Sequence, residues 1–245
     1  SRRVEPRDAA RRGTRSRVER ARQEWMELFR LQQELTGRVE AGAVRPVFLD
    51  HHLCHAASSF LVSPFERAAI LVVDGASEAD TTLMGVGEGN QITVLDRTPL
   101  PHSLGQFYAA MTAFLGFRPD QDEYIVMGLA SSGEPTFAPV LRRDILRLLP
   151  GGRFELNTRL LDFHLARAGY FVEEFVRLFG PARGASDDIT QRHRDLAASA
   201  QLVLEEVLLG MGRHLRGLTR AESLCVAGGV AYNCVANGRL RAELG

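Results

Sequence analysis

Residues 68–74 read AAILVVD, and the runs TTLMGVGEG (81–89) and QITVLDRTPL (91–100) follow within a few residues. The first run is almost continuously apolar, which is the signature of a strand buried on both faces. It ends in Asp74-Gly75, and Gly89-Asn90 separates the next two runs. Three strands joined by tight turns make a meander. Downstream, residues 104–115 have helical periodicity with Gly116 as the stop signal, and residues 118–135 read as a loop with a short helical core. Residues 136–149 read as a helix ending at Pro150-Gly151-Gly152, and residues 153–190 as short segments and turns. Residues 187–217 form the longest helical pattern, with Leu196, Ala200, Val203, Val207 and Leu208 on one stripe. Residues 224–227, LCVA, form another short strand that breaks at Gly228-Gly229, and a last helix starts near Asn233.

Upstream, residues 45–50 (RPVFLD) read as a short buried strand that runs into the helical HHLCHAASSF. Residues 17–36 read as an amphipathic helix, with Val18, Ala21, Trp25, Leu28, Phe29 and Leu35 near one stripe. Its Arg residues are interleaved with Glu, so packing on a parent domain is favoured over nucleic-acid contact. Residues 1–16 are Arg-rich and polar. The element order looks like the end of one ribonuclease-H-like half and most of a second. The expected class is therefore α/β with an actin-like ATPase fold, incomplete at both ends: residues 1–44 belong to the first half and 45–245 form the core.

Composition bounds the function. The 245 residues carry thirty basic and thirty acidic side chains, so bulk charge does not suit a nucleic-acid partner. Every basic residue is Arg, which excludes a lysine nucleophile or a P-loop lysine within this chain. No apolar run approaches the length of a membrane span and the amino end lacks an apolar core for a signal peptide, so no membrane role is expected. Three cysteines without CxxC spacing argue against a disulfide framework and for a cytoplasmic setting.

The sharpest chemical signal is DHHLCHA, residues 50–56. His51 and His55 are four apart, so on a helix their imidazoles share a face and can bind one divalent cation. A lone histidine is most often structural, but three in five residues beside an aspartate favour a metal. His52 points elsewhere, as a substrate contact or a structural group. Cys54 reads as a small packing residue. Asp74, at the mouth of a buried strand, suits a metal or substrate ligand, or an Asx-turn. Gly228-Gly229, between strand and helix, would let backbone approach a phosphate. Asn233 would cap the following helix or touch a ligand. Asp195, beside Arg194 and Arg192, reads as a surface charge.

Five segments carry a resemblance: DHHLCHAASSFLVSPFERAAILVVDGASE, PHSLGQFYAAMTAFLGF, DEYIVMGLASSGEP, RDLAASAQ and AGGVAYNCVANGRL. In this order the chain resembles the NodU/CmcH-type O-carbamoyltransferases across residues 45–245. That family is similar to TsaD-like proteins in its amino-terminal part. The resemblance implies ATP-dependent transfer of a carbamoyl group from carbamoyl phosphate, through carbamoyl-adenylate, to a hydroxyl of a small secondary metabolite. It implies Fe(II), or another divalent metal, on His51, His55 and Asp74. It places Gly228, Gly229, Asn233 and Asp195 on the nucleotide side. It implies a partner YrdC-like domain that makes the adenylate and lies outside these residues, as do the first strand with its phosphate loop and a further metal-binding Asp. Ile125 stands where the family has Lys, so a cation near the phosphate is lost unless Arg118 compensates. A non-catalytic remnant or one part of a split enzyme is the alternative expectation. A TsaD-like enzyme acting on tRNA ranks below both.

Overall fold

A computed structural model describes residues 47–77, 79–163 and 169–245. The helix expected over residues 17–36 lies outside them. Residues 50–163 and 169–245 belong to one compact α/β unit.

Its centre is a four-stranded mixed sheet. Strand β1 (Arg67–Val73), β2 (Asp80–Glu88) and β3 (Gln91–Pro99) form the meander, and β6 (Leu224–Ala227) lies on the far side of β1. The order is β3-β2-β1-β6, with β1 antiparallel to β2 and parallel to β6. The side-chain period of two divides β1 between two cores. Ala69, Leu71 and Val73 face the larger core, and Ala68, Ile70 and Val72 face the smaller one. This is why the strand is apolar at nearly every position.

Helix α1 (His51–Phe60) covers the smaller face with Ala56 and Phe60. The larger face packs α2 (Leu104–Phe114), α3 (Glu123–Ala130), α4 (Glu173–Phe179) and the long α5 (Gln191–Thr219). The stripe expected on α5, from Leu196 to Leu208, is buried. The closing helix α6 (Cys234–Leu244) is capped by Asn233, whose Oδ1 accepts the Ala236 N–H at 3.0 Å.

Three expectations are corrected. Residues 47–50 form no strand, and Val47, Phe48 and Leu49 are exposed. Among the described residues no strand pairs with them, and a short apolar run without a partner does not hold a ladder. Residues 136–149 are not one helix. A helical turn (Ala138–Val140) and a π-turn (Leu141–Ile145) lead into β4 (Leu146–Leu148), which pairs with β5 (Phe154–Leu156). Pro150 keeps the preceding Leu149 extended, at φ −120° and ψ 160°, and so favours the hairpin over a helix. Cys54 is exposed rather than packed. The buried stripe of α1 is His52, Ala56 and Phe60, which puts Cys54 on another face.

Candidate metal centre

Helix α1 begins where Asp50 caps it: Asp50 Oδ1 accepts the Leu53 N–H at 2.8 Å. With residues 52, 56 and 60 turned inward, His51 and His55 fall together on the flank beside the end of β1. Asp74 follows Val73 there. Its Oδ2 lies 3.0 Å from His51 Nε2 and 3.0 Å from His55 Nε2, and the two Nε2 atoms are 3.1 Å apart. The three side chains expected to gather are therefore one cluster, the only metal-capable group of its kind among the described residues.

The donor set fits a divalent cation. Adjacent donors at about 2.1 Å in an octahedron lie about 3.0 Å from each other, close to the observed triangle. Two imidazoles and one carboxylate are a donor set of the kind that suits Fe(II), Zn or Mn.

Asp74 is anchored from its other oxygen. Oδ1 accepts the Gly75 N–H at 2.7 Å and the Gly229 N–H at 3.2 Å. Burial raises its pKa, but the hydrogen bonds from His51, Gly75 and Gly229 and the field of His55 outweigh it, leaving the carboxyl below its ordinary value. Both glycines of the 228–229 pair are required. Gly228 sits at φ +92° and an added Cβ would lie 2.3 Å from Val73 O, while a Cβ on Gly229 would lie 2.9 Å from Asp74 Oδ1.

His52 is fully buried between α1 and the loop after Asp74, with Nδ1 3.2 Å from Ser77 Oγ. Burial holds its pKa below the ordinary histidine value.

Asp74 and Gly229 open onto a cavity of about 600 Å³, lined also by Tyr108, Tyr124, Val230, Tyr232 and Asn233. Asn233 is held from behind. Gln201 Nε2 donates to Asn233 Oδ1 at 3.0 Å, and Asn233 Nδ2 donates to Gln201 Oε1 at 2.8 Å. Tyr108 Oη also donates to Gln201 Oε1, at 2.8 Å. Burial drives the Tyr108 phenol well above its ordinary pKa. Asp195 is not part of the cavity wall. Its Oδ1 accepts the Glu134 N–H at 2.9 Å and Gln191 Nε2 at 2.8 Å, which ties the loop after α3 to α5. Arg118 is paired with Asp122 and no arginine lines the cavity among the described residues. Sequence reasoning missed the tyrosines. Tyr108 and Tyr124 sit on helical stripes indistinguishable from core positions, and only the fold turns them toward the cavity.

The family profile described as carbamoyltransferase N-terminus matches residues 26–244. The chain is 43% identical over 198 residues to an uncharacterized protein of Synechocystis, covering 80% of this chain and 32% of that protein. It is 37% identical over 192 residues to the nodulation protein NolO of Bradyrhizobium diazoefficiens, covering 78% and 33%. Against the nodulation protein NolNO of Sinorhizobium fredii the identity is 35% over 210 residues, covering 86% and 29%. A mixed α/β unit carrying a two-histidine, one-carboxylate cluster is thus joined by family-wide similarity, and the chain belongs to the carbamoyltransferase family, in its N-terminal part. It spans about a third of the length of these relatives.

Proposed function

We propose that this chain is the metal-bearing part of an enzyme that transfers a carbamoyl group from carbamoyl phosphate, through carbamoyl-adenylate made with ATP, to a hydroxyl of a small secondary metabolite. The observation that carries the reading is the convergence of His51, His55 and Asp74 within 3.0–3.1 Å of each other at a cavity wall. The acceptor oxygen bonds to the carbamoyl carbon, the bond to the adenylate oxygen breaks, AMP leaves with the electron pair, and the hydroxyl proton passes to water.

His51 Nε2, His55 Nε2 and Asp74 Oδ2 would hold Fe(II) or another divalent ion. Bound there, the ion supplies Lewis acidity toward a carbonyl or phosphoryl oxygen and offsets negative charge. The Gly75 and Gly229 N–H groups fix Asp74 by its second oxygen and so aim the first. Tyr108, Val230 and Leu204 line the same cavity and give it an apolar wall beside Asp74. Gly229 and Asn233 form the nucleotide side of the wall, next to Gly228. Asp195, assigned to that side by the resemblance, here ties the loop after α3 to α5 and lies off the cavity wall. With Ile125 in the lysine position and no arginine on the wall among the described residues, a metal held by His51, His55 and Asp74 would have to offset more of the phosphate charge.

The sheet order β3-β2-β1-β6, with β6 parallel to β1 and α5 before it, supports a ribonuclease-H-like half of an actin-like ATPase fold. The reading places the YrdC-like activity elsewhere in the protein and the enzyme in the cytoplasm, with no nucleic-acid or membrane partner. No helix of the described residues is long and apolar enough to cross a membrane.

The test is elemental analysis of the full-length protein, prepared without oxygen, together with a carbamoyl-transfer assay. About one divalent ion per chain is expected from a single three-donor cluster. His51→Ala, His55→Ala and Asp74→Ala should each lose the ion and the transfer activity. Chelator treatment should abolish activity and added Fe(II) restore it. Unchanged metal content in all three variants would falsify the assignment.

A further inference from the structure

The three donors come from two elements. His51 and His55 belong to α1, and Asp74 to the end of β1. Their spacing depends on what ties α1 to the turn between Asp74 and β2.

One side chain reaches both. Arg97, on β3, places Nη2 3.0 Å from Asp50 Oδ2 and donates from Nη1 to Asp80 Oδ2 at 3.0 Å. Asp50 caps α1 immediately before His51. Asp80 opens β2, and its carbonyl accepts from both the Ser77 N–H (2.9 Å) and Ser77 Oγ (3.1 Å), closing the turn after Asp74. His52, between the two donor histidines, contacts the same Ser77. Without Arg97, two carboxylates from different elements would face one another uncompensated. A planar guanidinium has two terminal nitrogens that can serve two carboxylates at once, whereas an ammonium on a flexible stem is a single point charge.

We propose that Arg97 is a positioning residue of the metal centre, a clamp that fixes the helix bearing His51 and His55 against the turn that follows Asp74. The inference rests on the metal reading above. It goes beyond that reading by assigning the donor spacing to a residue that touches no ligand atom.

Mn(II) titration of the full-length protein tests it, with thermal unfolding run on each variant so that binding is read only where the chain is folded. Arg97→Gln should raise the Mn(II) Kd about 10- to 100-fold, the range seen when a supporting contact of a metal ligand is removed. Arg97→Lys should fall between Arg97→Gln and the parent, and it stands in for Arg97→Gln if that variant does not fold. Arg147→Gln, which removes an ion pair with Glu155 on the exposed β4–β5 hairpin, should bind as the parent does. His55→Ala should not bind. If both Arg97 variants bind within about twofold of the parent while His55→Ala fails, the clamp is overturned and the metal site stands. If His55→Ala binds as the parent does, the metal reading itself falls, and the clamp with it.

Discussion

Gly229 has no side chain at the one place where a Cβ would press on the oxygen that anchors Asp74, at 2.9 Å. The carboxylate divides its work: Oδ2 faces the histidines while Oδ1 takes two backbone N–H groups. Gly229→Ala should therefore weaken Mn(II) binding about tenfold or more without altering any donor. Titration of that variant beside the parent checks this, and equal affinity would show that the turn yields without moving Asp74. The DHHxxH spacing and the aspartate after an apolar strand were readable, because helical periodicity and strand ends are local properties. The destination of the Gly229 N–H was not. A Gly-Gly pair after a strand suggests an anion, and here the anion it meets within the chain is the Asp74 carboxylate, 155 residues away in sequence.

At the scale of elements, α5 carries a pH-sensitive start. Thr190 and His193 form a capping box, with the Thr190 N–H donating to His193 Nδ1 at 3.0 Å. Burial, together with nearby Arg192 and Arg183, holds the His193 pKa below its ordinary value of 6.5. The folded chain thus resists a proton that the unfolded chain accepts. The contribution of His193 to stability is complete above pH about 6.5 and declines as the pH falls below it toward the lower folded pKa. Urea midpoints at pH 7.5 and 5.5 should show the decline. His193→Gln keeps a capping-box residue at that position and should flatten the slope, apart from what His52, shifted in the same direction, contributes. A slope identical to the parent's would remove His193 as a source. The helix of α5 was legible from its long stripe. Its first turn was placed a few residues early, because Ser186, Asp187 and Asp188 are as good N-cap residues as Thr190.

At the scale of the molecule, one sheet separates two cores, and the smaller one supports the helix that carries His51 and His55. Phe60 is about 1% exposed in that core, and its ring fills the space that a Cβ on Gly87 would enter at 2.4 Å. Phe60→Ala should cost about 3–5 kcal/mol, a large share of a typical stability of about 5–15 kcal/mol. Urea unfolding measures it. A loss below about 1 kcal/mol would mean that α1 is held by the Arg97 and Ser77 contacts rather than by this core. The meander, α2, the long α5, β6 and the closing helix could be read from period and punctuation, and so could the candidate metal ligands, because hydrophobic period, glycine and proline act within a few residues. Three things needed the fold. Residues 47–50 look like a strand, but among the described residues no partner meets them. Residues 146–148 look helical until a hairpin pairs them with 154–156. Tyr108, Gln201 and Arg97 carry no local mark of their places, since each is defined by groups that the chain brings together only on closing the sheet: Gln201 beneath Asn233, Tyr108 at the cavity wall, and Arg97 between Asp50 and Asp80.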